Sequence, residues 1–212
     1  MAFIAFFSYP IPVVAGIARF KRLTDAMKVL FLFCLFSCLV AGAECVLSLN
    51  HMNNTFLSNY SFLIESAFIF VIYFFSIDSK RIKQINSVLA ALFFCIWIID
   101  KIWFAVPNQL NSEMAVASRV FIIVISILTI YTIVKKIDHQ LINDPIFWVS
   151  SSTLIYSTGA IFIFGLSNEL LKMGASYFIT AWYINWMLAV VSNLMYTKGF
   201  FCTAKYQISY GS

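Results

Sequence analysis

Residues 27–49 read MKVLFLFCLFSCLVAGAECVLSL, and this run decides the fold class. Only Lys28 and Glu44 in it are charged, so a helix built from it has no face that prefers water. A helix that is apolar all round is buried in a large core or embedded in lipid. The rest of the chain excludes the first option. Of its 212 residues, 62% are hydrophobic and 11% charged, with 23 phenylalanines and a mean hydropathy of +0.90. A soluble domain carries about 25% charged residues. A chain this apolar needs lipid on its outside.

Working outward from that run, six more apolar stretches have the length of a membrane-spanning helix, roughly 17 to 25 residues. The seven are Phe3–Ala18, Met27–Leu49, Tyr60–Ile77, Asn86–Val106, Ala115–Val134, Pro145–Ser167 and Ala175–Thr197. The first contains Pro10 and Pro12, which predict a kink in its outer half. It lacks the basic start and small-residue cleavage pattern of a signal peptide, so a retained helix is expected. Residues 1–212 thus read as one all-α integral membrane domain, a seven-helix bundle.

Basic residues orient it. Arg19, Lys21, Arg22 and Lys28 follow the first helix, and Lys80, Arg81 and Lys83 follow the third. Lys135 and Lys136 follow the fifth, with Lys198 and Lys205 after the seventh. The positive-inside rule places these loops in the cytoplasm, hence the N-terminus outside and the C-terminus cytoplasmic. The net charge of +5 is then a topology signal, with no nucleic-acid footprint in it. Basic loops of this kind also suit an anionic inner leaflet. The longest outer loop is expected at Asn50–Asn59. No connection is long enough for a signalling domain, so a signal would leave through a cytoplasmic partner.

Metal and disulfide chemistry find little support. Cys34, Cys38, Cys45 and Cys95 lie within predicted helices, and Cys202 just beyond the last. Cys34 and Cys38 share a helix face, but small apolar packing explains them better than a metal pair. The only histidines are His51 and His139, on opposite sides, which excludes a three-histidine zinc site. Asn53-Asn54-Thr55 and Asn59-Tyr60-Ser61 match the N-glycosylation pattern, a weak signal. Asp144-Pro145 reads as a helix cap followed by a first-turn proline, and Gly165–Glu169 as the exit of helix six.

Ionisable residues at membrane depth are costly, and they usually face the bundle interior or a wet cavity. Glu44, Glu65, Asp100, Lys101 and Arg119 all fall roughly 6–9 Å below the outer ends of helices two to five, counting 1.5 Å per residue. Helical spacing supports inward faces at Cys34, Ser37, Ala41, Glu44 and Ser48, at Arg119, Ile122, Ser126 and Thr129, and at Asn185, Ala189, Ser192, Asn193 and Tyr196. Helix six offers Ser152, Tyr156 and Gly159. Asp100 and Lys101 are about 100° apart on a helix, so one of them is expected to snorkel outward. Trp103 and Tyr177 suit an interfacial belt, whereas Trp182, three residues before Asn185, is a candidate cavity residue. Each charge alone is explained by helix register. Taken together, Glu44, Glu65, Asp100, Lys101, Arg119, Tyr156, Trp182 and Asn185 are the candidate lining of an outward-opening ligand pocket.

Three stretches carry a resemblance: Asn54-Thr55-Phe56 through Tyr60 to Glu65, Phe104 through Asn111-Ser112 to Arg119, and Asp144-Pro145-Ile146-Phe147-Trp148 to Tyr156. They resemble a family of uncharacterised seven-helix proteins of Bacteroidetes, over nearly the whole chain. No activity is established for that family. The resemblance implies a bacterial inner membrane and a sensory role beside histidine kinases, and it matches Glu65 and Arg119 to recurrent polar positions. Other seven-helix families fit less well. A microbial rhodopsin needs a retinal lysine in the middle of helix seven, where this chain has Asn185 to Ala189, and seven-helix lipid hydrolases need several histidines. The expectation is a sensor or ligand-binding protein without cofactor, taking a small molecule or lipid headgroup. The alternatives are a small intramembrane enzyme or proton-coupled carrier using Glu44, Glu65 and Asp100, and a structural subunit of a membrane complex.

Overall fold

The computed structural model describes residues 2–103, 111–136 and 141–206. They form eight α-helices: α1 (Ala2–Ser8), α2 (Pro10–Arg19), α3 (Asp25–Leu49), α4 (Thr55–Ser76), α5 (Lys80–Trp103), α6 (Ser112–Lys136), α7 (Pro145–Met173) and α8 (Ala175–Tyr206). Seven spans are long and apolar enough to cross a membrane, the first being α1 and α2 taken together over Ile4–Arg22. The chain is therefore an all-helical bundle with the build of an integral membrane protein. The predicted end of helix four at Val106, Phe104 and His139 lie outside the described residues.

The helix ends follow capping chemistry, and hydropathy alone places several of them wrongly. Thr24 accepts a hydrogen bond from the Met27 N–H at 3.4 Å and opens α3. Asp144 accepts from the Ile146 and Phe147 N–H groups at 2.7 and 3.3 Å and opens α7, as its sequence predicts. The Asn53 side chain accepts from the Thr55 N–H at 2.8 Å, so α4 begins at Thr55 and the expected loop Asn50–Asn59 shrinks to Asn50–Asn54. Polar residues continue α5 back to Lys80. Gly165–Glu169 is no exit: α7 runs on to Met173 and stops at Gly174. With φ of +129°, Gly174 takes a backbone conformation that side chains disfavour, and it alone separates α7 from α8. The first span breaks at Tyr9, directly before Pro10, where its two prolines predict a kink.

Packing contacts order the helices in a ring: α2 against α3, α3 against α4, α4 against α6, α6 against α7, α7 against α8, and α8 back against α2. α5 stands outside, against α4 and α6, and buries only Asn86, Phe93 and Asp100. Two apolar clusters fill the ring. The larger holds Met27, Leu30 and Phe33 of α3, Ile69 and Tyr73 of α4, Ile122 and Ile125 of α6, Val149 of α7, and Tyr196 and Phe200 of α8. The smaller holds Phe62, Ala115, Ala160 and Phe164, with Tyr156 and Trp182 packed against it.

Candidate functional site

Each wall of the site is set by a position between those two clusters. On α4, Glu65 falls between Phe62 of the smaller cluster and Ile69 of the larger. On α6, Arg119 falls between Ala115 and Ile122. On α7, Tyr156 falls between Val149 and Ala160, and on α8, Asn185 falls between Trp182 and Tyr196. Four helices thus carry a polar residue at the junction of two apolar packings.

Arg119 is the centre. It is buried, as are Ile122, Ser126 and Thr129 on the same face of α6. Its Nη2 donates to Glu65 Oε2 at 2.8 Å, with the Glu65 side chain 22% exposed and that of Arg119 5%. Three aromatic rings surround the guanidinium, with centroids 5.0 Å (Tyr156), 5.7 Å (Phe62) and 5.7 Å (Phe164) from its central carbon. Cation–π contacts strengthen when water is excluded, to about 2 kcal/mol. They offset part of the cost of burying the charge. One hydrogen-bond donor remains: Arg119 Nε is buried and has no partner among the described residues.

Further polar groups converge on this pair. Glu44 of α3 is half-buried and accepts from Ser58 Oγ of α4 at 2.9 Å. The Tyr9 hydroxyl, at the break between α1 and α2, interacts with Tyr156, Glu65, Glu44 and Arg119. Tyr9 is positioned by its neighbour, since Ser8 Oγ accepts from Asn193 Nδ2 of α8 at 2.8 Å. The Asn185 side chain interacts with the Tyr156 hydroxyl, and its buried Oδ1 has no partner among the described residues.

The structure divides the five charges that the sequence places at one depth. Glu65 and Arg119 meet directly, and Glu44 is held by Ser58, two turns before Glu65 on α4. Asp100 is held elsewhere: Asn111 Nδ2 donates to its Oδ2 at 2.5 Å. Asn111 also donates its N–H to Asn59 Oδ1 at 2.9 Å and accepts from the Met114 N–H at 3.0 Å. This clamp ties the end of α5 to the start of α6 and to α4, and it engages the asparagine of one sequence motif for glycosylation. Lys101 lies over the rings of Tyr60 and Trp97, 5.5 and 5.6 Å from their centroids. Asp100 is buried and Lys101 half-exposed, the divergence that neighbouring positions on a helix demand. Trp182 packs edge-on against Phe164 and Phe178, one ring removed from the guanidinium.

No protein-family model matches the chain, and neither a curated protein nor a solved structure is detectably similar to it. Its chemistry is therefore read from the cluster itself. Among the described residues no three His, Cys, Asp or Glu side chains gather as metal ligands, and no disulfide forms. What the cluster offers is one buried cation, two carboxylates, two phenols and a carboxamide, a set suited to holding a polar molecule.

Sequence reading missed five participants: Tyr9, Ser58, Asn111, Phe62 and Phe164. Tyr9 adjoins the prolines that break its helix, which was a usable signal. Phe62 lies three residues before Glu65 on α4, so helical spacing puts the two on one face. Nothing local marks Ser58 or Asn111, because their partners are 14 and 11 residues away.

Proposed function

We propose that this chain is a seven-helix sensor that binds a small polar ligand at the Arg119 cluster and passes a helix shift to a cytoplasmic partner. The observation that carries the reading is the buried guanidinium. A fold that used Arg119 only to fix helix register would satisfy it completely, whereas here Nε is buried without an acceptor among the described residues. Unsatisfied buried donors are rare in folded proteins and point to a ligand or an ordered water. The segregated basic residues support a membrane orientation with the cluster in the outer half and the N-terminus outside. The resemblance to the Bacteroidetes family supports a bacterial inner membrane. Connections between spans are short, from one residue at Gly174 to eight between α5 and α6 and between α6 and α7, so none of them holds a signalling domain.

Photocrosslinkers at positions 22, 81 and 136, in the basic connections, test the coupling in native membranes. The expected outcome is repeated capture of one protein species from all three. A chain that purifies alone, captures nothing and turns over a substrate would replace the sensor with the enzyme or carrier. One that folds only when a partner copurifies would be a structural subunit.

A further inference from the structure

We infer that the cavity at the turn between α2 and α3 holds the phosphate headgroup of an anionic phospholipid, with an acyl chain laid along α2. This goes beyond the sensor reading and does not rest on the Arg119 cluster.

The cavity has a volume of about 390 Å3, within the roughly 300–1,000 Å3 of small-ligand sites. Ile17, Ala18, Arg19, Phe20, Lys21 and Arg22 line it, three cations interleaved with three apolar side chains. They surround one space because α2 ends at Arg19 and the chain tightens into a 3-10 turn over Phe20–Arg22. The cations are uncompensated. Lys28, the next basic residue, is paired with Asp25 at 2.9 Å, whereas Arg19, Lys21 and Arg22 have no carboxylate partner among the described residues. Arg19 is also held in place, its central carbon 5.3 Å from the ring centroid of Phe201 on α8. A side chain already ordered loses less freedom when it binds.

The surroundings say what kind of anion fits. The apolar span Ile4–Arg22 ends here, so the cavity lies where headgroups lie. Ile17 and Val14 are exposed and one turn apart, which carries an apolar track from the cavity along α2. Arginine forks match phosphate oxygens. A free anion would leave Ile17, Ala18 and Phe20 facing water. A zwitterionic lipid would bring its own cation to a site that already has three. An anionic phospholipid satisfies both the charge and the apolar wall, and basic pockets at the ends of spans bind such headgroups.

The test is native mass spectrometry of the purified full chain in detergent, titrated with phosphatidylglycerol and, as a match without net charge, phosphatidylcholine of the same acyl chains. Saturable retention of one phosphatidylglycerol is expected, at least about tenfold tighter than phosphatidylcholine. Lys21→Gln with Arg22→Gln, both at exposed positions, should remove that preference. Lys80→Gln with Arg81→Gln takes the same charge from exposed positions that do not line the cavity, and should leave the preference intact. Ala18→Phe fills the cavity from an exposed position without changing charge, and should abolish retention. Equal retention of the two lipids overturns the inference. So does an equal loss from the Lys80 and Arg81 variant, which would mean general attraction to a basic end, and so does unchanged retention in Ala18→Phe. Displacement of the lipid by millimolar inorganic phosphate would give the cavity to a free anion. Crosslinking from position 22 without any lipid preference would give it to a protein partner. Both results overturn the lipid site, and neither touches the reading of Arg119.

Discussion

Arg119 carries a full charge through the middle of an apolar bundle, and its neighbours show how that is tolerated. Glu65 supplies the counter-charge at 2.8 Å, and three rings replace the water that a guanidinium would otherwise keep. Breaking a buried ion pair by removing one partner costs about 3–5 kcal/mol, because the survivor stays buried and unpaired. With Glu65 partly exposed, the lower end of that range is expected for Arg119→Ala, since the remaining carboxylate can rehydrate. Glu65→Gln should cost more, because it strands the guanidinium. The double variant should lose less than the sum of the two. Thermal unfolding in detergent checks this, and strictly additive losses would mean that the pair does not interact in the folded protein. By contrast, Lys28 with Asp25 and Lys172 with Glu169 are exposed pairs three residues apart, at 2.9 and 2.7 Å, and contribute little.

At the scale of the helix, close approach is the controlling quantity. Gly16 of α2 is buried, and a Cβ there would collide with the Phe31 ring of α3. The Phe31 ring is also held edge-on by Phe20, with centroids 5.4 Å apart. Gly16→Ala must therefore push α2 from α3, at the 1–3 kcal/mol or so typical of overpacking. Gly42, inside α3, is the control: nothing lies within 4 Å of its added Cβ. Gly42→Ala should stabilise by about 0.5–1 kcal/mol through backbone entropy. Opposite Tm shifts are the expected result, and a neutral Gly16→Ala would mean that α2 and α3 have room to spare. These contacts also explain what sequence reading could and could not see. Span number and the inward stripes of α6 and α8 were legible, because lipid exposure and helical period write themselves into local composition. Helix ends such as Thr55 and Met173 were not, since capping competes with hydropathy there. That one of Asp100 and Lys101 would turn outward was legible, but which one was not, nor was the partner Asn111, 11 residues from Asp100.

For the whole molecule, the division of charge is the strongest asymmetry. Arg19, Arg22 and Lys28 lie where α2 gives way to α3, and Lys80, Arg81 and Lys83 open α5. Lys135 closes α6, and Lys198 lies near the end of α8. The connections α2–α3, α3–α4, α4–α5 and α7–α8 are too short for a span to be retraced, so each of these pairs of neighbours runs in opposite directions. The basic residues then gather at one end of the bundle, while Glu44, ten residues beyond the ring position of Cys34, approaches the other. The proposed orientation puts the basic end in the cytoplasm. Two exposed positions at opposite ends test it: Met52 between α3 and α4, and Ser79 between α4 and α5. With the exposed Cys45 and Cys95 replaced by alanine, Met52→Cys should react with a membrane-impermeant maleimide on intact spheroplasts. Ser79→Cys should react only after the membrane is permeabilised. The reverse pattern would turn the bundle over. The Arg119 cluster would then open toward the cytoplasm, and a ligand taken from outside would no longer fit the proposed role. Labelling of both positions in intact spheroplasts would mean that the chain is not inserted as a single oriented bundle.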